Sequence, residues 1–123
     1  MIHSHDGSNP VVRMFFYINT IMKTDILNSI LGVVSEVCEV SREDLLSHCK
    51  REEVVDARCI FVHYCKEYGF QSKVVAEFLN RKRACVVDAY ARNYRSYSKV
   101  SYMFRTYSRQ VADKLSVMFP VTE

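Results

Sequence analysis

Glycine and proline are scarce. The 123 residues contain three Gly and two Pro, and both prolines, Pro10 and Pro120, lie near the ends. Turn-rich β architectures draw on these residues for tight connections, so an uninterrupted middle favours helices. The five cysteines are odd in number and include no CxxC or other close pair, which argues against both a disulfide framework and a zinc loop. Cys38, Cys59, Cys65 and Cys85 fall in apolar periodic stretches, where reduced and buried thiols of a cytoplasmic protein are expected. No apolar run reaches the about 20 residues of a membrane span. "VVRMFFYINTIM", residues 11–22, is broken by Arg13, Asn19 and Thr20 and is read as a docking arm or core segment. The polar start "MIHSHDGSNP" lacks the basic-then-apolar pattern of a signal peptide. A Gly-rich phosphate loop is absent as well, so no ATP-binding domain is expected.

Formal net charge is +3, unevenly spread. Residues 81–109 hold eight Lys/Arg against Asp88 alone, a net of +7, while residues 1–80 hold eight against eleven Asp/Glu. One basic segment in a near-neutral chain is the electrostatic footprint of an anionic partner, the bland alternative being a solvated basic face.

Apolar residues at three- and four-residue spacing from Asp25 to Cys38 predict a helix. Ser41, with Asp44 at the capping-box position, predicts a short helical turn through Leu46. Val54, Ala57, Phe61, Tyr64, Cys65 and Tyr68 mark one face of a long helix with Glu52 and Glu53 at its start and Gly69 as its stop. "FQSKVVAEFLN" predicts a helix of about eight residues capped at Ser72, and Asn80 is either an N-cap or a left-handed turn residue. A helix of about fourteen residues then carries Val86, Val87, Ala89, Tyr90 and Tyr94, with Arg81, Lys82 and Arg83 at its start. Val100, Met103, Phe104, Tyr107, Val111, Leu115 and Met118 give a last helix, whose stripe is core or, where exposed, a dimerisation face. Two helices joined by a very short turn, with cations at the start of the second, outline a helix-turn-helix.

That order, with "CEVSREDLL", "KREEVVDAR", "VVAEF" and "NRKRACVVDA", resembles the C-terminal DNA-binding domain of the bacterial replication initiator DnaA over roughly residues 26–115. Ala57–Arg58 matches the family's Ala-Arg, Phe78 its usual Phe, and Arg81 and Val86 the first and last side chains of its Arg-Asp-His-Thr-Thr-Val signature. Lys82, Arg83, Ala84 and Cys85 stand where the family uses Asp, His, Thr and Thr on DNA, and Glu52 stands where many members carry a minor-groove Arg. The resemblance implies an all-α multi-helix bundle containing a helix-turn-helix, of the Trp-repressor and DnaA C-terminal kind. The domain is expected to span residues 25–119, after a polar tail and apolar arm at 1–24 and before a tail at 120–123. The resemblance also implies double-stranded DNA as partner, a role in replication or transcription control in a bacterial, phage or mobile-element cytoplasm, and altered or reduced specificity.

On that reading Arg81, Lys82 and Arg83 are the candidate base contacts, since Arg and Lys most often address guanine O6 and N7. Lys50, Arg51, Lys73, Arg92, Arg95 and Lys99 are the candidate phosphate contacts. Tyr90, Tyr94 and Tyr97 lie at packing intervals instead of forming a base-stacking array. Cys59 and His63 are four residues apart on one helix, but the cysteines follow its apolar face, so neither a metal nor a catalytic dyad is expected. No cofactor and no enzymatic activity are expected. The alternative function is a protein-interaction or oligomerisation module on the same scaffold, using residues 11–22 or the last helix.

Overall fold

The computed structural model describes residues 10–119, with side chains from Met22 onward. Six helices follow one another among these residues: α1 (Pro10–Cys38), α2 (Arg42–Leu46), α3 (Glu52–Glu67), α4 (Ser72–Phe78), α5 (Ala84–Val100) and α6 (Tyr102–Met118). The architecture is all-α, with no strand among the described residues.

α1 starts at Pro10, not at Asp25 as the periodicity predicts. Proline is favoured in the first turn, where its missing N–H costs nothing. The pattern marks only the packed half of this helix: Leu27, Ile30, Leu31, Val33 and Val34 are buried, while Met22 to Asp25 are exposed. The polar tail with His3 and His5, and residues 120–123, lie outside the described residues. Of the predicted arm at 11–22, the backbone is helical and the Met22 side chain is exposed.

α3 is the central element and packs against α1, α2, α4, α5 and α6. Its buried set extends past the predicted face to six consecutive residues, Ala57 to Val62. A helix enclosed by neighbours has no single apolar stripe, so a one-faced reading understates it. Tyr68, predicted on that face, is instead the exposed C-cap, edge-on to Phe119.

α1, α3 and α4 end the same way. Glu39, Gly69 and Asn80, each just past a C-cap, hold φ of 56°, 94° and 60°. The amide two residues beyond each C-cap returns to the carbonyl three residues before it: Val40 to Ser35 at 3.2 Å, Phe70 to Cys65 at 3.0 Å, Arg81 to Ala76 at 2.8 Å. This is the Schellman closure, which satisfies orphan carbonyls at the cost of one left-handed residue. Asn80 therefore stops α4 and does not begin α5, which starts only at Ala84. Arg81, Lys82 and Arg83 form the turn before the second helix rather than its first turn. α4 is shorter and α5 longer than the sequence suggests.

Two capping assignments differ as well. Gln71, not Ser72, occupies the N-cap of α4, and the Ser72 hydroxyl is drawn off to Asp88 Oδ1 at 2.7 Å. The last apolar stripe is split by Ser101, whose hydroxyl accepts from the Phe104 amide and starts α6 afresh. Phe104, Val111 and Leu115 keep the core side, whereas Val100, Met103 and Met118 are exposed. Ser41 caps α2 through the Asp44 amide as predicted.

Candidate nucleic-acid interface

The segment between α2 and α3, residues 47–51, has no regular structure, yet it is tightly held. Arg58 of α3 is buried with 1% of its surface exposed, and its guanidinium donates to four carbonyl oxygens. They are Leu45 at 2.9 Å, Cys49 at 2.6 Å, Asp44 at 2.7 Å and Ser47 at 2.7 Å. Two of these acceptors lie at the C-terminal end of α2, where carbonyls lack partners within the helix. A buried guanidinium is costly unless its donors are matched, and the planar fork matches several convergent carbonyls at once. Ala57–Arg58, which the sequence offers only as a family likeness, is thus what shapes the basic loop.

Arg81 reaches the same loop from the turn after α4, and both arginines line one groove. Its Nη1 donates to the Leu79 carbonyl at 2.8 Å and its Nη2 to the Ser47 carbonyl at 2.9 Å. Between loop and turn lies a groove of about 610 Å³. His48 and Lys50 line the loop side, Asn80 to Arg83 the turn side, and Val55, Val86 and Tyr90 also border it. The structure brings Lys50, Arg81, Lys82 and Arg83 into one cationic groove, with Lys50, Lys82 and Arg83 exposed and Arg81 half-buried.

α5 begins beside this groove with an open end. Its N-cap is Arg83, which makes no side-chain cap hydrogen bond, and its first turn carries no acidic residue. The positive end of the helix dipole and the adjacent cations therefore reinforce one another, an arrangement that an anion stabilises.

The other candidate contacts lie elsewhere. Arg92, Arg95 and Lys99 are exposed and follow Asp88 along one face of α5 at four-, three- and four-residue steps. At about 100° per residue this stripe lies well over a quarter turn from Val86 and Tyr90, which face the groove. Lys73 is exposed in the first turn of α4. Arg51 is exposed but paired with Asp44 and, at 3.5 Å, with Glu53. Asp88, the lone acid of the basic segment, accepts from Lys66 at 3.1 Å and from Ser72. These two hydrogen bonds hold its carboxyl below the usual range. Glu52 borders a second recess, with Asp56, Tyr97 and Phe104, that shares Lys50 and Val55 with the cationic groove.

The tyrosines pack. Tyr94 stacks on His63 with centroids 3.7 Å apart and meets Phe104 edge-on at 5.4 Å. Tyr97 meets Phe104 edge-on at 5.5 Å. Tyr94 and Tyr64 converge on the buried Ser108 hydroxyl at 2.5 and 2.9 Å. Burial lowers the His63 pKa from its ordinary value and pushes the Cys59 thiol up to about 12. Cys85, expected inside, is exposed at the start of α5, because the apolar side of that helix is carried by Val87 instead. Cys49 belongs to the basic loop, and hydrogen bonds from Arg51 lower its thiol pKa. Sequence reading treats Arg58 only as a family likeness, does not single out Ser47, and assigns Tyr90 to packing. The first two act through backbone carbonyls, which leave no trace in side-chain pattern.

No helix among the described residues is long and apolar enough to cross a membrane. A search among curated proteins finds no match to the chain. The family described as "Bacterial dnaA protein helix-turn-helix" matches residues 27–92, more than half of the chain. That span takes in the packed half of α1, the loop held by Arg58, α4, the first half of α5 and the cationic groove between loop and turn. The chain belongs to the bacterial DnaA helix-turn-helix family.

Proposed function

We propose that this chain binds double-stranded DNA, with α5 in the major groove and the loop at 47–51 on the adjoining backbone. The family's helix-turn-helix is a DNA-binding module. The observation that carries the reading to particular residues is the groove in which Lys50 shares walls with Lys82 and Arg83 at the uncapped start of α5. Lys82 and Arg83 are the base contacts, aimed at guanine. Lys50, Lys73, Arg92, Arg95 and Lys99 hold phosphates, those on α5 from the flank away from the groove. Arg51 contributes less, because Asp44 and Glu53 already compete for it.

Ala84 and Cys85 offer no hydroxyl to a base, so specificity differs from that of the family's Asp-His-Thr-Thr pattern or is reduced. The process served is replication or transcription control in a bacterial or phage cytoplasm, without a catalytic step. The folding unit is residues 25–119, since among the described side chains full burial begins at Leu27.

Fluorescence anisotropy on mixed-sequence duplex across a salt series tests this. Wild type should bind with log affinity falling linearly with log salt, and Lys50→Gln should flatten the slope by about 0.9. Lys82→Gln with Arg83→Gln should remove most affinity at an unchanged unfolding midpoint. Salt-insensitive binding, or full binding by the double variant, rejects the reading. The interaction-module alternative draws on exposed Val100, Tyr102 and Val117, at 82%, 69% and 80%. A stable oligomer in sedimentation, without salt-sensitive duplex binding, would favour it.

A further inference from the structure

The geometry points to Arg81 as a positioning residue: its guanidinium clasps the basic loop to the helix-turn-helix and sets the width of the groove that DNA enters. The inference rests on the DNA-binding reading, but the clasp itself is a property of the free protein.

Four observations converge on it. Arg81 spans two segments, donating from one nitrogen to Leu79 at the end of α4 and from another to Ser47 in the loop. Its own backbone is fixed by the closure to Ala76 at 2.8 Å, so the side chain leaves from a rigid base. The Ser47 carbonyl is shared with Arg58, which anchors the loop from the core side at 2.7 Å. Ser47 also ties the loop internally: its hydroxyl donates to the Asp44 carbonyl at 2.8 Å and accepts from the Cys49 amide at 3.1 Å. Arg81 and Arg58 thus share one carbonyl between two guanidiniums, and the loop carrying Lys50 is tied both to α3 and to the turn before α5.

A guanidinium committed to two carbonyls is not free to fork onto a guanine. Its half-buried state differs from the exposure of its neighbours Lys82 and Arg83. The chemistry divides accordingly: Lys82 and Arg83 meet DNA, while Arg81 fixes the distance between them and Lys50. Lysine in place of Arg81 keeps the charge but lacks the fork, since a single ammonium on a flexible stem does not hold two carbonyls in plane.

Arg81→Lys separates clasp from contact. In the free protein, hydrogen exchange of the Cys49 amide, which donates to the Ser47 hydroxyl, should quicken about tenfold, the scale of a lost charge-assisted hydrogen bond. In Lys82→Gln with Arg83→Gln it should stay at the wild-type rate. On duplex DNA, Arg81→Lys should weaken binding about tenfold in the wild-type background, yet cost little in Lys50→Gln, because a misplaced Lys50 is then no longer a loss.

Cys49 amide exchange within twofold of wild type in Arg81→Lys overturns the clasp, as does an affinity cost that is equal in both backgrounds. If wild type shows no salt-sensitive duplex binding, the DNA reading falls, and the exchange measurement still decides the clasp by itself.

Discussion

Three arginines within the DnaA-like region do three different jobs. Arg58 is buried against four carbonyls, Arg81 is half-buried between two, and Arg83 is exposed at the N-cap of α5. Position in the sequence does not separate them; the number of carbonyls within reach does. Arg58 carries the largest stability consequence. Arg58→Met keeps a stem of similar shape but strips the Leu45 and Cys49 carbonyls of their donor, while those of Asp44 and Ser47 keep the Ser47 hydroxyl and Arg81. It should destabilise the fold by about 3 kcal/mol, since each abandoned buried acceptor costs its own desolvation. Urea unfolding with tryptophan-free detection, by far-UV circular dichroism, reads this directly. A loss below about 1 kcal/mol would mean that water replaces the guanidinium without penalty.

At the scale of elements, helix ends decide the geometry more than helix propensity does. Three Schellman closures set where α1, α3 and α4 stop, and only one uses glycine. Glu39 and Asn80 hold left-handed φ with a side chain attached, which costs a non-glycine residue about 1–2 kcal/mol, less for Asn. Glu39→Gly should therefore raise stability by roughly 1 kcal/mol, and Asn80→Val should lower it by about as much or more. Thermal unfolding of the pair checks both signs together. Equal midpoints for Asn80→Val and wild type would contradict the strained turn. Position 80 needs positive φ, which Asn tolerates better than most other residues.

For the whole molecule, α3 is the hub through which α5 is supported. His63 of α3 stacks on Tyr94 of α5 and touches Tyr64 edge-on, with Glu67 nearby raising its pKa against the larger effect of burial. Its folded-state pKa is depressed below 6.5, so the unfolded chain takes up the proton first. Stability should hold above pH 6.5, fall as pH drops through that value, and level off once the folded-state pKa is passed. His63→Phe, which keeps the stack and cannot titrate, should remove this component from the pH profile of the unfolding midpoint. A profile identical to wild type would place the pH sensitivity elsewhere.

The sequence by itself determined the all-α class, the order of the elements, the cap at Ser41, the stop at Gly69 and the concentration of positive charge after Asn80. Each of these is local: periodicity, a capping side chain, a missing Cβ, a charge count. Tertiary structure decided the rest. It placed Arg81 to Arg83 in a turn instead of a helix and enclosed α3 on all sides. It also set Lys50 against Lys82 and Arg83 across one groove while turning Arg92, Arg95 and Lys99 to another face. It committed Arg81 to two carbonyls as well, while leaving Lys82 and Arg83 exposed. That division depends on the carbonyls of Ser47 and Leu79, and a backbone acceptor is identical in every residue. Only folding determines which side chain it meets.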